Sequence, residues 1–203
     1  MGVLSDSAPA PVTVYFDYAS PWSFVAAETA SRRLAGITLD WVPIYIRGLP
    51  AFSKGMPYSP GKLTYLARDL IRVVEHEGLT FAQPAAFPID AIHALRAAIV
   101  AKEHSERAFA KFHKKVFLAT WSEQVDIADK VVIASILRDS LGGDAPDELV
   151  GSFSQQRVKD QLRKNTDEAV KRGVFGLPTF FVGDEMFWGH DRMDYVSRAV
   201  RSR

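Results

Sequence analysis

From Val12 to Tyr18 (VTVYFDY) the chain alternates, with Val12, Val14, Phe16 and Tyr18 on one face, which predicts a strand. Ser20-Pro21 then opens a helix, because serine is a preferred N-cap and proline a preferred first helical residue. That helix carries Ala26, Ala27, Ala30 and Leu34 and stops at Gly36. Residues 37–46 (ITLDWVPIYI) predict a second strand, with Pro43 placing it at an edge or a bulge. Two strands joined by a helix form a right-handed βαβ unit when they pair in parallel. Residues 47–60 are rich in Gly, Pro and Ser and predict a loop. Apolar residues spaced by three and four then predict helices over 62–77, 91–104, 108–121 and 127–141, with a shorter one over 146–153. Residues 155–172 predict a long polar helix that Gly173 ends. Residues 179–182 and 185–188 flank the turn Gly183-Asp184 as an antiparallel hairpin, and residues 191–201 close the chain as a helix.

Without the central helices the order is β-α-β-α-β-β-α, the order of thioredoxin. The fold class is therefore α/β, a thioredoxin-like domain interrupted by an all-helical insertion. Residues 12–46 and 153–203 form the discontinuous domain, and residues 47–152 form the insertion.

Totals change this picture in two places. The chain has 203 residues and a formal net charge of +1, so charge makes no case for a nucleic-acid partner. No apolar run approaches the roughly 20 residues of a membrane helix. The start has no basic segment followed by an apolar one, so no secretory leader is expected. Gly2 is not expected to be lipidated, because Asp6 stands where that motif wants Ser or Thr. Residues 5–11 (SDSAPAP) read as a short disordered lead. Cysteine is absent, which removes disulfides, thiolate metal sites and any thiol nucleophile of the chain's own.

That absence matters at Ser20-Pro21-Trp22-Ser23, which is a Cys-Pro-Trp-Cys redox motif with both sulfurs exchanged for oxygens. A helix N-terminus presents free N–H groups and the positive end of a dipole, and a hydroxyl there can donate to a thiolate brought from outside. Local grammar alone reads Ser20 as a helix cap. Gly176-Leu177-Pro178-Thr179 adds weight, because in thioredoxin architecture the proline before the third strand is cis and faces the redox motif. Such a turn leaves the Leu177 backbone free to pair with an extended peptide; by itself, Pro178 reads as a strand-initiating proline. The run Phe187-Trp188-Gly189-His190-Asp191-Arg192 packs aromatics and ionisable groups into the entry of the last helix, where Asp191 alone reads as a cap.

Three stretches carry a resemblance: YFDYASPWSFVA (15–26), KLTYLARDL (62–70) and GVFGLPTFFVGDEMFWGHDR (173–192). The chain resembles 2-hydroxychromene-2-carboxylate isomerases and kappa-class glutathione transferases, of the DsbA-like branch of thioredoxin folds. The resemblance implies glutathione as cofactor, with Ser20 next to its sulfur and Leu177, before Pro178, pairing with its cysteinyl unit. It further implies Lys62 on the glycyl carboxylate, with His190 and Asp191 at the γ-glutamyl end. Relatives often carry Asn or Ser where this chain has His190, so a backbone contact is the one that survives there. Ser53 stands near a position where the family supplies Asn. The implied activity is isomerisation of a small aromatic substrate in aromatic catabolism, in a cytoplasmic homodimer. Glutathione transfer is the alternative within the family, and a redox-dead peptide-binding module the alternative outside it.

Other candidates read more plainly. Asp17 is expected to be satisfied by nearby N–H groups, or else to tune the thiol. His76, His93, His104 and His113 have no metal-ligand spacing, and no metal is expected. Trp22, Phe87, Trp121 and Trp188 read as core residues, or as walls of an aromatic pocket.

Overall fold

The computed structural model describes residues 10–203. The expected disordered lead lies largely outside the described residues, as do the readings at Gly2 and Asp6. Four strands, β1 (Val12–Phe16), β2 (Leu39–Pro43), β3 (Thr179–Val182) and β4 (Glu185–Trp188), form one sheet in the order β2-β1-β3-β4. Parallel pairing sets Val14 opposite Trp41 on β2, and antiparallel pairing sets Val14 opposite Phe180 on β3. β2 is an edge strand, as Pro43 suggested, because an edge tolerates a residue without an N–H.

The helices are α1 (Pro21–Arg33), α2 (Pro60–His76), α3 (Ile92–His104), α4 (Glu106–Trp121), α5 (Lys130–Leu141), α6 (Asp147–Gly151), α7 (Gln156–Lys171) and α8 (Met193–Arg201). Their N-termini follow side-chain chemistry: Ser20, Ser59, Ser105 and Asp129 each accept an N–H from the first turn of the helix they precede. Single turns of 3-10 helix at Ile46–Gly48 and Pro50–Phe52 interrupt the predicted loop after β2.

β1 is covered on both faces. Val12 and Val14 pack with Ala26 and Ala30 of α1 and Met193 and Val196 of α8, while Tyr15 packs with Ala169 of α7, Leu177 and Phe181. β1 ends at Phe16 rather than at Tyr18. Asp17 turns its side chain to backbone N–H groups instead of continuing the ladder.

The helical segment does not carry a core of its own. Phe112, Val116 and Phe117 of α4 and Leu95 and Ala98 of α3 join Phe16, Tyr18, Phe24 and Leu162 in a single buried cluster. Burial of each such large side chain contributes about 1.5–3 kcal/mol, so this cluster holds the helices against the end of β1 where α1 begins. α2 is the exception. Only Leu70 and Val74 of it are buried, and Glu77 just beyond it pairs with Arg32 and Arg33 of α1.

Candidate functional site

The site grows out of the β1–α1 turn. Asp17 accepts Ser20 N–H at its backbone carbonyl (3.0 Å) and Ala19 N–H at Oδ1 (2.9 Å), closing a tight turn. Ser20 follows in extended conformation, φ −96°, ψ 114°, as the cap of α1 with Pro21 at the first helical position. Its Oγ accepts Ser23 N–H at 3.2 Å, so the capping role that local grammar favoured is present. The same hydroxyl donates to the Leu177 carbonyl at 3.4 Å. That separation is long for an O–H···O bond, so little holds the proton from a better acceptor. Ser20 is only 4% exposed, which shields whatever meets its hydroxyl from bulk water.

Leu177–Pro178 is cis. The Pro178 carbonyl accepts Gly189 N–H at 3.0 Å, which ties the turn before α8 to this proline. Gly189 has φ +110° and ψ 148°, a region glycine alone occupies readily. A Cβ there would meet Asp191 Oδ1 at 2.5 Å, so the carboxylate folds back over Gly189. The His190 ring stacks on Trp22, with centroids 4.9 Å apart and planes 8° from parallel, which seats this turn over the first turn of α1. Burial holds the His190 imidazole below its usual pKa, with the Asp191 carboxylate acting the other way.

Ser20, Leu177, Pro178, His190 and Asp191 therefore form one contiguous group, although the chain spreads them over residues 20–191. Lys62 and Ser53 join it less directly. The Lys62 Nζ lies 4.4 Å from the centroid of the Tyr58 ring, and Tyr58 meets Phe52 edge-on at 6.1 Å. Phe52 is buried in the cluster that contains Leu177. Ser53 is exposed and donates to the Pro50 carbonyl at 2.9 Å. Among the described residues Lys62 has no carboxylate within ion-pair distance, and no group of His, Asp and Glu is arranged to hold a metal.

The aromatic residues need correction. Of the four read as core or as a pocket wall, Trp121 is buried and donates its ring N–H to the Tyr18 carbonyl at 2.9 Å. Phe87 and Trp188 are exposed, at 45% and 43%, so neither is core. Trp188 packs on Phe175 and covers Gly176, where a Cβ would lie 2.6 Å from its ring nitrogen. Trp22 is half-buried, and its contact with His190 had no local signal in the sequence, because 168 positions separate the two rings. Behind the turn, Tyr18 Oη and His113 Nδ1 lie 3.2 Å apart in a cage of Phe16, Trp41, Phe109 and Phe117. Burial drives the His113 pKa down to about 3, so this imidazole is neutral.

The fold and the site define a thioredoxin-like protein with a serine where a redox protein has its cysteine. The family model described as DSBA-like thioredoxin domain matches residues 11–201, and the chain belongs to that family. It is 30% identical over 200 residues to the 2-hydroxychromene-2-carboxylate isomerase of Pseudomonas putida, a match covering 93% of each chain. It is 26% identical over 209 residues to glutathione S-transferase kappa 1 of Homo sapiens, covering 95% of this chain and 91% of that one. A solved structure of 2-hydroxychromene-2-carboxylate isomerase superposes with a TM-score of 0.80 at 26% identity, covering 95% of both chains. These relatives are enzymes by name.

Proposed function

We propose that the chain is a glutathione-dependent isomerase of a small aromatic substrate, of the kind that interconverts 2-hydroxychromene-2-carboxylate and trans-o-hydroxybenzylidenepyruvate. One observation carries the reading. In a chain without cysteine, a buried hydroxyl at a helix N-terminus lies against the carbonyl of a cis-proline turn.

Glutathione is an extended tripeptide with two carboxylates, an ammonium and a thiol, and the residues present fit it. Ser20 offers a loosely held donor for the sulfur, backed by the N-terminus of α1, whose dipole favours negative charge there. The Leu177 backbone suits an extended peptide. Lys62 offers a cation that, among the described residues, has no carboxylate within ion-pair distance, and the exposed Asp191 offers an anion for an ammonium. Bound glutathione supplies a soft sulfur nucleophile that adds reversibly to a conjugated substrate. In that chemistry Ser20 holds the sulfur as thiolate by donating its proton into a hydrogen bond. Its burial keeps water from competing, and Trp22 and His190 form an aromatic wall beside it.

Thermal unfolding with and without millimolar glutathione tests the cofactor. A rise in midpoint is expected, and no rise removes both the isomerase and the transferase readings and leaves a peptide-binding module. Turnover of the chromene followed by absorbance tests the reaction. Product exceeding the glutathione supplied is the isomerase outcome, and stoichiometric loss of free thiol is the transferase outcome. In Ser20→Ala, loss of a hydrogen bond to a charged group, about 1.5–3 kcal/mol, is expected to slow turnover by roughly 10- to 100-fold. Unchanged turnover with an unchanged thiol pKa would remove the hydroxyl from the mechanism.

A further inference from the structure

We infer that Asp17 is a positioning residue, a single buried carboxylate that holds the loop leading to Ser53 and Lys62 in register with the turn that presents Ser20. The inference rests on the glutathione reading above and adds to it the group that joins the two ends of the site.

Asp17 is fully buried. Its Oδ1 accepts Ala19 N–H at 2.9 Å, inside the Ser20 turn. Its Oδ2 accepts Ile46 N–H at 2.8 Å, at the first residue of the short turn after β2. From Ile46 the chain runs through buried Leu49 and Phe52, which pack with Leu177, and on to Ser53, Tyr58 and Lys62. Other contacts hold this loop to α7. Tyr45 N–H donates to Thr166 Oγ1 at 3.1 Å, and a Cβ on Gly48 would lie 2.7 Å from Thr166 Cγ2. Asp17 is the side chain that hydrogen-bonds both this loop and the turn of Ser20.

The double contact needs a carboxylate. Its two oxygens each accept one N–H, whereas an Asn side chain has one acceptor oxygen and turns a donor toward the other N–H. No ion pair supports the charge: among the described residues, no cation lies within salt-bridge distance of Asp17. The Ala19 and Ile46 N–H groups and, less, the exposed Arg47 offset the burial only in part, Asp90 adds to it, and the neighbouring Tyr18 is pushed up by its own burial and then by Asp17. Burial accordingly raises the Asp17 pKa to about 6. At neutral pH the fold therefore keeps a charge that its own stability does not favour, the pattern of a group retained for what it positions.

The test removes the contact from either end and reads glutathione affinity by calorimetry beside the thermal midpoint. Asp17→Asn removes one acceptor. Ile46→Pro removes the N–H donor and suits its place, because Tyr45 is already extended (φ −90°, ψ 110°) and Ile46 opens a helical turn. Ile46→Ala loses side-chain packing but keeps the N–H. The expected result is glutathione binding weaker by about tenfold in Asp17→Asn and in Ile46→Pro, and by less than about threefold in Ile46→Ala. If Asp17→Asn does not fold, the two Ile46 variants decide the matter. Affinities within about threefold of wild type in Asp17→Asn and Ile46→Pro, with or without a lower midpoint, would overturn the inference. Equal weakening in Ile46→Pro and Ile46→Ala would also overturn it, because packing would then be the cause. Wild-type protein that binds no glutathione sinks the cofactor reading itself, and this inference with it.

Discussion

Ser20 and the two buried ionisable groups behind it show how one short turn serves several demands. Ser20 caps α1 and also reaches the Leu177 carbonyl, so its capping role and its place at the site coexist in one hydroxyl. Asp17 and His113 have opposite effects on stability. For Asp17, raised from 3.8 to about 6, the folded state binds the extra proton, so its stabilising contribution is present in acid and is lost as pH rises through about 6. For His113, lowered from 6.5 to about 3, the folded state prefers the neutral ring, so its contribution is present above 6.5 and is lost as pH falls toward 3. At 1.36 kcal/mol per unit these contributions amount to about 3 and about 5 kcal/mol, and they partly cancel between pH 6 and 4. Asp17→Asn removes the offset. Its urea midpoint is therefore expected to fall more steeply than that of wild type between pH 7 and 4.5. Parallel curves for the two proteins would contradict the assignment of Asp17.

At the scale of elements, the turn from β4 into α8 decides where His190 and Asp191 lie. Gly189 adopts φ +110° and ψ 148°, and its amide is bound to the Pro178 carbonyl. Gly189→Ala must place a Cβ in a conformation nearly reserved for glycine, 2.5 Å from the Asp191 carboxylate. The expected cost is about 1–3 kcal/mol in urea unfolding, with weaker glutathione binding as the turn shifts. A variant as stable as wild type would mean that the turn relaxes freely. Element boundaries were legible where side chains act locally. Ser20-Pro21 marked the start of α1, and Gly183-Asp184 marked the hairpin. The end of β1 was not legible. Tyr18 continues the alternation, whereas Asp17 leaves the ladder for a tight turn with Ala19 and Ser20 and for the distant Ile46 N–H.

At the scale of the molecule, the helical segment and the sheet share one core. Phe117 of α4 lies 6.0 Å from Phe16, 4.8 Å from Tyr18 and 6.3 Å from Phe24, ring centre to ring centre. Phe117→Ala opens a cavity at that junction and is expected to cost about 3–5 kcal/mol. Because the junction is common to both parts, unfolding followed by tryptophan fluorescence and by far-ultraviolet dichroism is expected to give one midpoint. Two separated transitions would show that the segments hold together independently. A fragment of residues 47–152 alone is expected not to fold, since it lacks Phe16, Tyr18, Phe24 and Leu162.

The sequence by itself determined the order of elements, the thioredoxin-like class and the absence of a thiol, since periodicity, caps and composition are local properties of the chain. It also placed Ser20 at a helix start and Pro178 before a strand. The tertiary structure brings these two turns together as thioredoxin architecture implied, and it alone decided that Trp22, at the edge of the core, stacks on His190 and that Trp188 and Phe87 face solvent. The physical reason is the same in each case. A contact between residues far apart in the chain depends on which faces the packed helices and sheet bring together, and one-dimensional pattern carries no record of that. Asp17 shows both limits. Its need for N–H partners was readable from its place at the end of an apolar strand, but that one of them is Ile46 was not.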